Sequence, residues 1–116
     1  MEKISRKKFK NVSVSAMVED IVGCKWSLTT LDLIQKGINR PGAMVREVDG
    51  LSTKVLNERL SKMVRYGILE KISYPEIPPR VEYSFTDFGK RFCLILDDIK
   101  NLQQYLDSEL SINKQD

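Results

Sequence analysis

Few side chains in this sequence can do covalent or metal chemistry. Cys24 and Cys93 are the only thiols, and histidine is absent from all 116 residues. The chain therefore lacks the usual proton shuttle at neutral pH and the commonest nitrogen ligand for zinc, copper or iron. Two cysteines so far apart match neither a CxxC redox pair nor a disulfide framework, and two buried, reduced thiols are the plainer reading. No GxGxxG or GxxxxGK[ST] segment occurs, and the six glycines stand singly, as turn and cap residues do. Neither a catalytic residue nor a metal or cofactor is expected. An enzyme would need a nucleophile activated without histidine, which only Cys24 beside Lys25 offers.

Hydrogen bonding to a polyanion is better represented. Ser52, Thr53, Lys54, Asn57 and Ser61 fall on the polar side of one amphipathic segment, which reads Thr53, Lys54, Asn57, Glu58, Ser61 and Lys62 on that face. Thr, Asn and Ser can donate and accept at base edges, Asn can pair bidentately with adenine, and Lys54 can reach a guanine or a phosphate. Any amphipathic helix also shows a polar solvated face, so the face alone does not decide. Arg80, among three prolines, is placed at a sugar-phosphate backbone or in a minor groove, where a narrow groove concentrates negative potential. Its alternative is a cross-strand pair with Glu82 or Glu76. Arg59 lies beside the apolar side and is read as a structural ion-pair residue.

The elements that must hold these groups follow from periodicity. Val14, Met17, Val18, Ile21 and Val22 repeat at helical spacing and stop at Gly23; a second helix runs from about Ser27 to Lys36, with Leu28, Leu31 and Ile34 inward and Gly37 at its end. Trp26 packs these two helices together. A short helix from about Ala43 to Val48 precedes the Asp49-Gly50 turn. Ser52 caps the helix that carries the polar face; Val55, Leu56, Leu60, Met63 and Val64 are its apolar side, and Gly67 ends it.

The period then becomes two. Leu69, Ile72 and Tyr74 lead into Pro75-Glu76-Ile77-Pro78-Pro79, and Val81, Tyr83 and Phe85 return. This is a hairpin whose proline-rich tip cannot continue the ladder. On the last helix, capped by Thr86 or Asp87, Phe88, Phe92, Ile95, Ile99, Leu102 and Leu106 recur in alternating steps of four and three, a coiled-coil spacing. Either a second copy covers that stripe, or the first helix of the same chain does. For a dimer the contact residues would be Val14, Val18 and Ile21 with Ile95, Ile99, Leu102 and Leu106.

Length, 41% hydrophobic and 30% charged residues describe one soluble domain, spanning about residues 13–110 between a basic arm (1–12) and a fraying tail (111–116). The net charge of +3 is unevenly spread: five basic residues against one acidic lie in 1–10, and five acidic against two basic in 94–116. Such a distribution suits a polyanion partner. No apolar run is long enough to span a membrane and no signal peptide is visible, so a cytoplasmic location is expected.

Helix, turn, helix, hairpin is the order of a winged helix-turn-helix, an α+β, mostly helical fold whose second motif helix enters the major groove. At this point the residues resemble the HxlR-type transcriptional regulators, winged-helix relatives of the MarR group, over roughly residues 13–106. Gly23-Cys24-Lys25-Trp26 is similar to the family's GGKW, and Leu51-Ser52-Thr53-Lys54-Val55-Leu56-Asn57-Glu58-Arg59-Leu60 to its recognition-helix start. The segment Tyr74 to Thr86 is close to the family wing YPEVPPRVEYSLT. The resemblance implies a homodimeric, sequence-specific DNA-binding regulator with N- and C-terminal dimerisation helices.

Three departures stand out. Ser13-Val14 occupies the place of a Cys-Pro pair whose cysteine is the sensor in members that sense oxidants or electrophiles; Cys24 replaces a glycine; and Pro41-Gly42-Ala43 stands where Phe-Ser-Glu is usual. Cys24 beside Lys25 is then the candidate redox residue. The competing reading is a winged-helix adaptor that binds protein without specific DNA binding.

Overall fold

The computed structural model describes residues 12–114, ordered as α1 (Val14–Val22), α2 (Lys25–Gln35), α3 (Pro41–Glu47), α4 (Thr53–Arg65), β1 (Leu69–Tyr74), β2 (Arg80–Phe85) and α5 (Asp87–Lys114). The basic arm expected at the N-terminus lies almost wholly outside the described residues. α5 continues into the segment read as a tail, to Lys114.

Local chemistry accounts for most boundaries. The Ser13 hydroxyl accepts from the Ala16 N–H at 3.1 Å and so caps α1; Ser52 accepts from Val55 N–H at 3.2 Å and caps α4. α2 begins two residues earlier than its apolar spacing predicts, with Cys24 as N-cap and Trp26 inside the helix. α3 likewise starts at Pro41, whose missing N–H costs nothing at a first helical position.

α2 and α4 end alike. Gly37 (φ 88°) and Gly67 (φ 75°) take the left-handed conformation after each helix. Ile38 N–H then reaches the Leu33 carbonyl at 2.9 Å, and Ile68 N–H the Met63 carbonyl at 3.0 Å. This double closure satisfies the last carbonyls and turns an apolar residue back onto the helix.

The core joins Met17 and Ile21 of α1, Leu31, Leu33 and Ile34 of α2, Met44 of α3, Leu56, Leu60 and Met63 of α4, Leu69 and Tyr83 of the hairpin, and Phe92 and Leu96 of α5. Two apolar assignments change. Ile21 is fully enclosed within its own chain and is removed from the dimer residues; Leu28 turns outward, while Ser27 and Thr30 are buried in its stead. The Thr30 hydroxyl can be there because it donates to the Trp26 carbonyl at 2.7 Å. Trp26 packs across Gly50 in the α3–α4 turn, where an added Cβ would sit 3.6 Å from its ring.

β1 and β2 pair antiparallel from Leu69 opposite Phe85 to Tyr74 opposite Arg80. Tyr83 N–H donates to the Asn39 carbonyl at 3.0 Å, tying the hairpin to the strap before α3. Thr86 caps α5 by accepting from Gly89 N–H at 2.8 Å, while its hydroxyl donates to the Gly67 carbonyl and its N–H donates to the Ile68 carbonyl at 3.1 Å. The first turn of α5 is thereby fastened to the end of α4 and the start of β1. α5 still borders α2 as far as Gln103, with Lys100 3.9 Å from Asp32; beyond that it leaves the body, and the molecule extends 61 Å along its longest axis.

Candidate nucleic-acid interface

α4 divides cleanly. Leu56, Leu60 and Met63 have no exposed surface, whereas Ser52, Thr53, Lys54, Asn57, Glu58 and Ser61 face outward. Asn57, Glu58, Ser61 and Arg65 line an open depression of ≈ 310 Å³ on that face. The sequence places Thr53, Lys54, Asn57 and Ser61 together, and the structure does so too. It adds Arg65, which the helical pattern had left aside. Ser52 spends one acceptor lone pair on the cap and keeps its hydroxyl donor and a second lone pair for a ligand.

A polar anchor also ties α4 to α1. Asp20 pairs with Lys62 at 2.9 Å and accepts a hydrogen bond from the Tyr66 hydroxyl. The Tyr66 bond, with help from Lys62 and Arg59, holds the Asp20 carboxyl below its ordinary value against the opposing effect of burial. Burial, followed by the hydrogen bond and the charge of Asp20, pushes Tyr66 up to about 12. Arg59 makes no ion pair within 4 Å among the described residues, and its Nε is enclosed without a partner. The structural ion pair expected for it is therefore absent, although its charge still acts on Asp20.

At the hairpin, the ion-pairing alternative for Arg80 is the arrangement present. Its guanidinium lies 3.9 Å from the Tyr74 ring centroid, 3.3 Å from Glu76 and 3.8 Å from Glu82. Glu82 also receives Arg40, the N-cap residue of α3, at 3.2 Å. The network of two cations and two carboxylates joins the wing to α3, a connection that separation along the chain conceals. The loop's most projecting side chain is Ile77, fully exposed between Glu76 and Pro78.

Cys24 sits at the N-terminus of α2. Burial opposes ionisation of its thiol, but the Ser27 hydroxyl and N–H, the charge of Arg59 and the Trp26 N–H outweigh it and hold the thiol below its ordinary value. Cys93 is the reverse case, pushed up to about 11 by burial first and by Asp97 next. No group of three or more possible metal ligands exists among the described residues.

The dimer stripe also sorts itself. Phe92, Cys93 and Leu96 enter the core, while Val14, Ile95, Ile99, Leu102 and Leu106 remain exposed, as do Tyr105 and Leu110. Val18 is half-buried against the core. α1 therefore does not cover the stripe. An open groove of ≈ 240 Å³ between α2 and α5, with Leu28, Leu31, Leu96 and Ile99 in its lining, continues the same apolar surface.

An outward polar helix face, a cap at its start and a hairpin beside it define a winged helix-turn-helix protein. Its similarity to known proteins agrees. The HxlR-like helix-turn-helix family is matched over residues 21–110, and the chain belongs to that family. It is 42% identical over 79 residues to the HTH-type transcriptional regulator sll1512 of Synechocystis sp., covering 68% of this chain and 58% of that protein. With YtcD of Bacillus subtilis, also named an HTH-type transcriptional regulator, it shares 32% over 91 residues, 78% of this chain and 71% of the relative.

Solved structures show the same likeness. A MarR-family transcriptional regulator from Enterococcus faecalis V583 superposes with a TM-score of 0.74 at 25% identity over 96% of both chains. One from Porphyromonas gingivalis W83 does so at 0.63 and 33%, over 89% of this chain and 97% of that one. No helix among the described residues is long and apolar enough to cross a membrane.

Proposed function

We propose that the protein is a sequence-specific DNA-binding transcriptional regulator that acts as a homodimer. The observation that carries the reading is the division of α4: its apolar side is locked into the core while Thr53, Lys54 and Asn57 stand free in its N-terminal half, where a groove-inserted helix meets base edges, and Ser61 follows on the same face. The relatives, named as HTH-type transcriptional regulators, support it. Asn57 and Thr53 read bases, Lys54 and Ser52 hold base or phosphate, Ser61 lies deeper along the groove, and Arg80 contacts the backbone or minor groove after exchanging Glu76 for a phosphate oxygen.

Dimerisation rests on the uncovered stripe of α5. Ile95, Ile99, Leu102 and Leu106, with Val14 and Val18 from α1, pack against a second copy and set two recognition helices one helical turn of DNA apart, about 34 Å. Fluorescence-anisotropy titration tests both claims, using the duplex upstream of the protein's own gene against a scrambled duplex over a salt series, with light scattering for mass. A regulator prefers one duplex, shows a steep salt slope and has the mass of a dimer. Equal weak binding to both, followed by no enrichment from a random duplex pool, would replace this reading with that of a protein-binding adaptor.

A further inference from the structure

Glu58 is the only carboxylate on α4, a helix that also carries Lys54, Arg59, Lys62 and Arg65. Its natural partner along the helix is Lys62, four residues on, in the favourable order for an i,i+4 pair. That pair does not form, because Lys62 reaches 2.9 Å to Asp20 of α1 instead. Among the described residues no cation lies within 4 Å of Glu58; it is exposed and lines the depression with Asn57, Ser61 and Arg65. An unpaired carboxylate there repels every phosphate backbone alike. It gains only where an amino group of the major groove donates to it, and the cytosine N4 amino group is the donor that a carboxylate recognises.

We infer that Glu58 is a specificity-determining residue that selects cytosine at one position of each half-site, next to the base met by Asn57; this rests on the regulator reading above. Repulsion lowers binding to all other sequences, and the one accepted hydrogen bond restores it at the cognate base. Discrimination therefore comes from a penalty as much as from an attraction.

The test is selection from a random duplex pool with the full chain as wild type, Glu58→Gln and Glu58→Ala, followed by affinity measurements on the selected duplex and its single-base variants. Since Glu58 is exposed, both variants are expected to melt like wild type. Wild type enriches cytosine at one position per half-site, with roughly 5- to 150-fold weaker binding when that base is changed. Glu58→Gln moves the preference toward adenine, which an amide pairs bidentately, and Glu58→Ala accepts any base there. Variants that enrich the wild-type motif unchanged, even while binding all DNA more tightly, would overturn the inference and leave the regulator reading standing. A wild type that enriches no sequence overturns both.

Discussion

Gly89 offers a test of how α5 is seated, because the usual sign of a glycine-to-alanine change in a helix should reverse there. Removing a glycine from a helix interior ordinarily stabilises by up to ~1 kcal/mol. At Gly89, however, an added Cβ would lie 1.9 Å from the Ile68 carbonyl oxygen, 2.8 Å from its carbon and 3.2 Å from its Cα. All three are backbone atoms and cannot swing aside, so the first turn of α5 must back away from β1. That motion breaks or stretches the Thr86 N–H bond to Ile68 and the Gly89 N–H bond to Thr86, each worth about 1 kcal/mol. Overpacking adds about 1–3 kcal/mol.

Set against the propensity gain, Gly89→Ala should destabilise by about 2–4 kcal/mol, or roughly 8–16 °C in Tm for a domain of this size. Thermal unfolding followed by circular dichroism at one fixed protein concentration measures it, since a dimer's Tm depends on concentration. Gly42→Ala is the control. There the new Cβ meets only the end of the flexible Arg46 side chain, at 3.4 Å, and the Tm should hold or rise. A Gly89→Ala protein as stable as wild type would show that the contact between α5 and Ile68 is not what fixes the helix.

Asn57→Ala should cost ~1–3 kcal/mol on the cognate duplex and relax selectivity at one position, whereas Arg80→Ala should weaken specific and random DNA alike and flatten the salt dependence; equal losses on both DNAs for both variants would refute this division of labour. Ile99→Glu places a charge in the exposed stripe and should give monomers by sedimentation, an unchanged mass removing α5 from the interface. The Asp20–Tyr66 anchor sets two pH limits on stability. Asp20, depressed when folded, contributes above its unfolded value near 3.8 and loses that contribution as pH falls through the lower folded one. Tyr66, raised to about 12, contributes fully below its unfolded value of 10.0 and loses it as pH climbs through the interval between them. Tyr66→Phe should abolish that alkaline loss in denaturant titrations at pH 8 to 11.5, and an identical pH profile in both proteins would count against the anchor.

Much of this architecture is legible in one dimension because its signals are local. Ser52 as a cap, Gly37 and Gly67 as helix stops, the 3.6-residue period of α4 and the two-residue period of the hairpin all act within a few positions, so the order of elements and the outward face of α4 can be read directly. Boundaries slipped where chemistry ran against pattern, as where Pro41 opens a helix that apolar spacing starts later and Cys24 caps one without a hydroxyl, and at the C-terminus, where α5 runs on to Lys114. The partner of a given side chain is a different matter. Ile21 and Ile99 look alike along the chain, yet one is fully enclosed in the core and the other faces outward.

Arg80 has carboxylates nearby in sequence, but that Glu82 also holds Arg40, forty-two residues away, depends on the hairpin folding back onto the start of α3. Lys62 abandons Glu58 for Asp20 only because α1 crosses α4, and that crossing leaves the outward carboxylate unpaired. Periodicity and caps act between near neighbours, so the sequence by itself determined the elements and the face each offers. Burial and ion pairing are settled among residues tens of positions apart, and only the tertiary structure decided which charges remain free to meet a ligand.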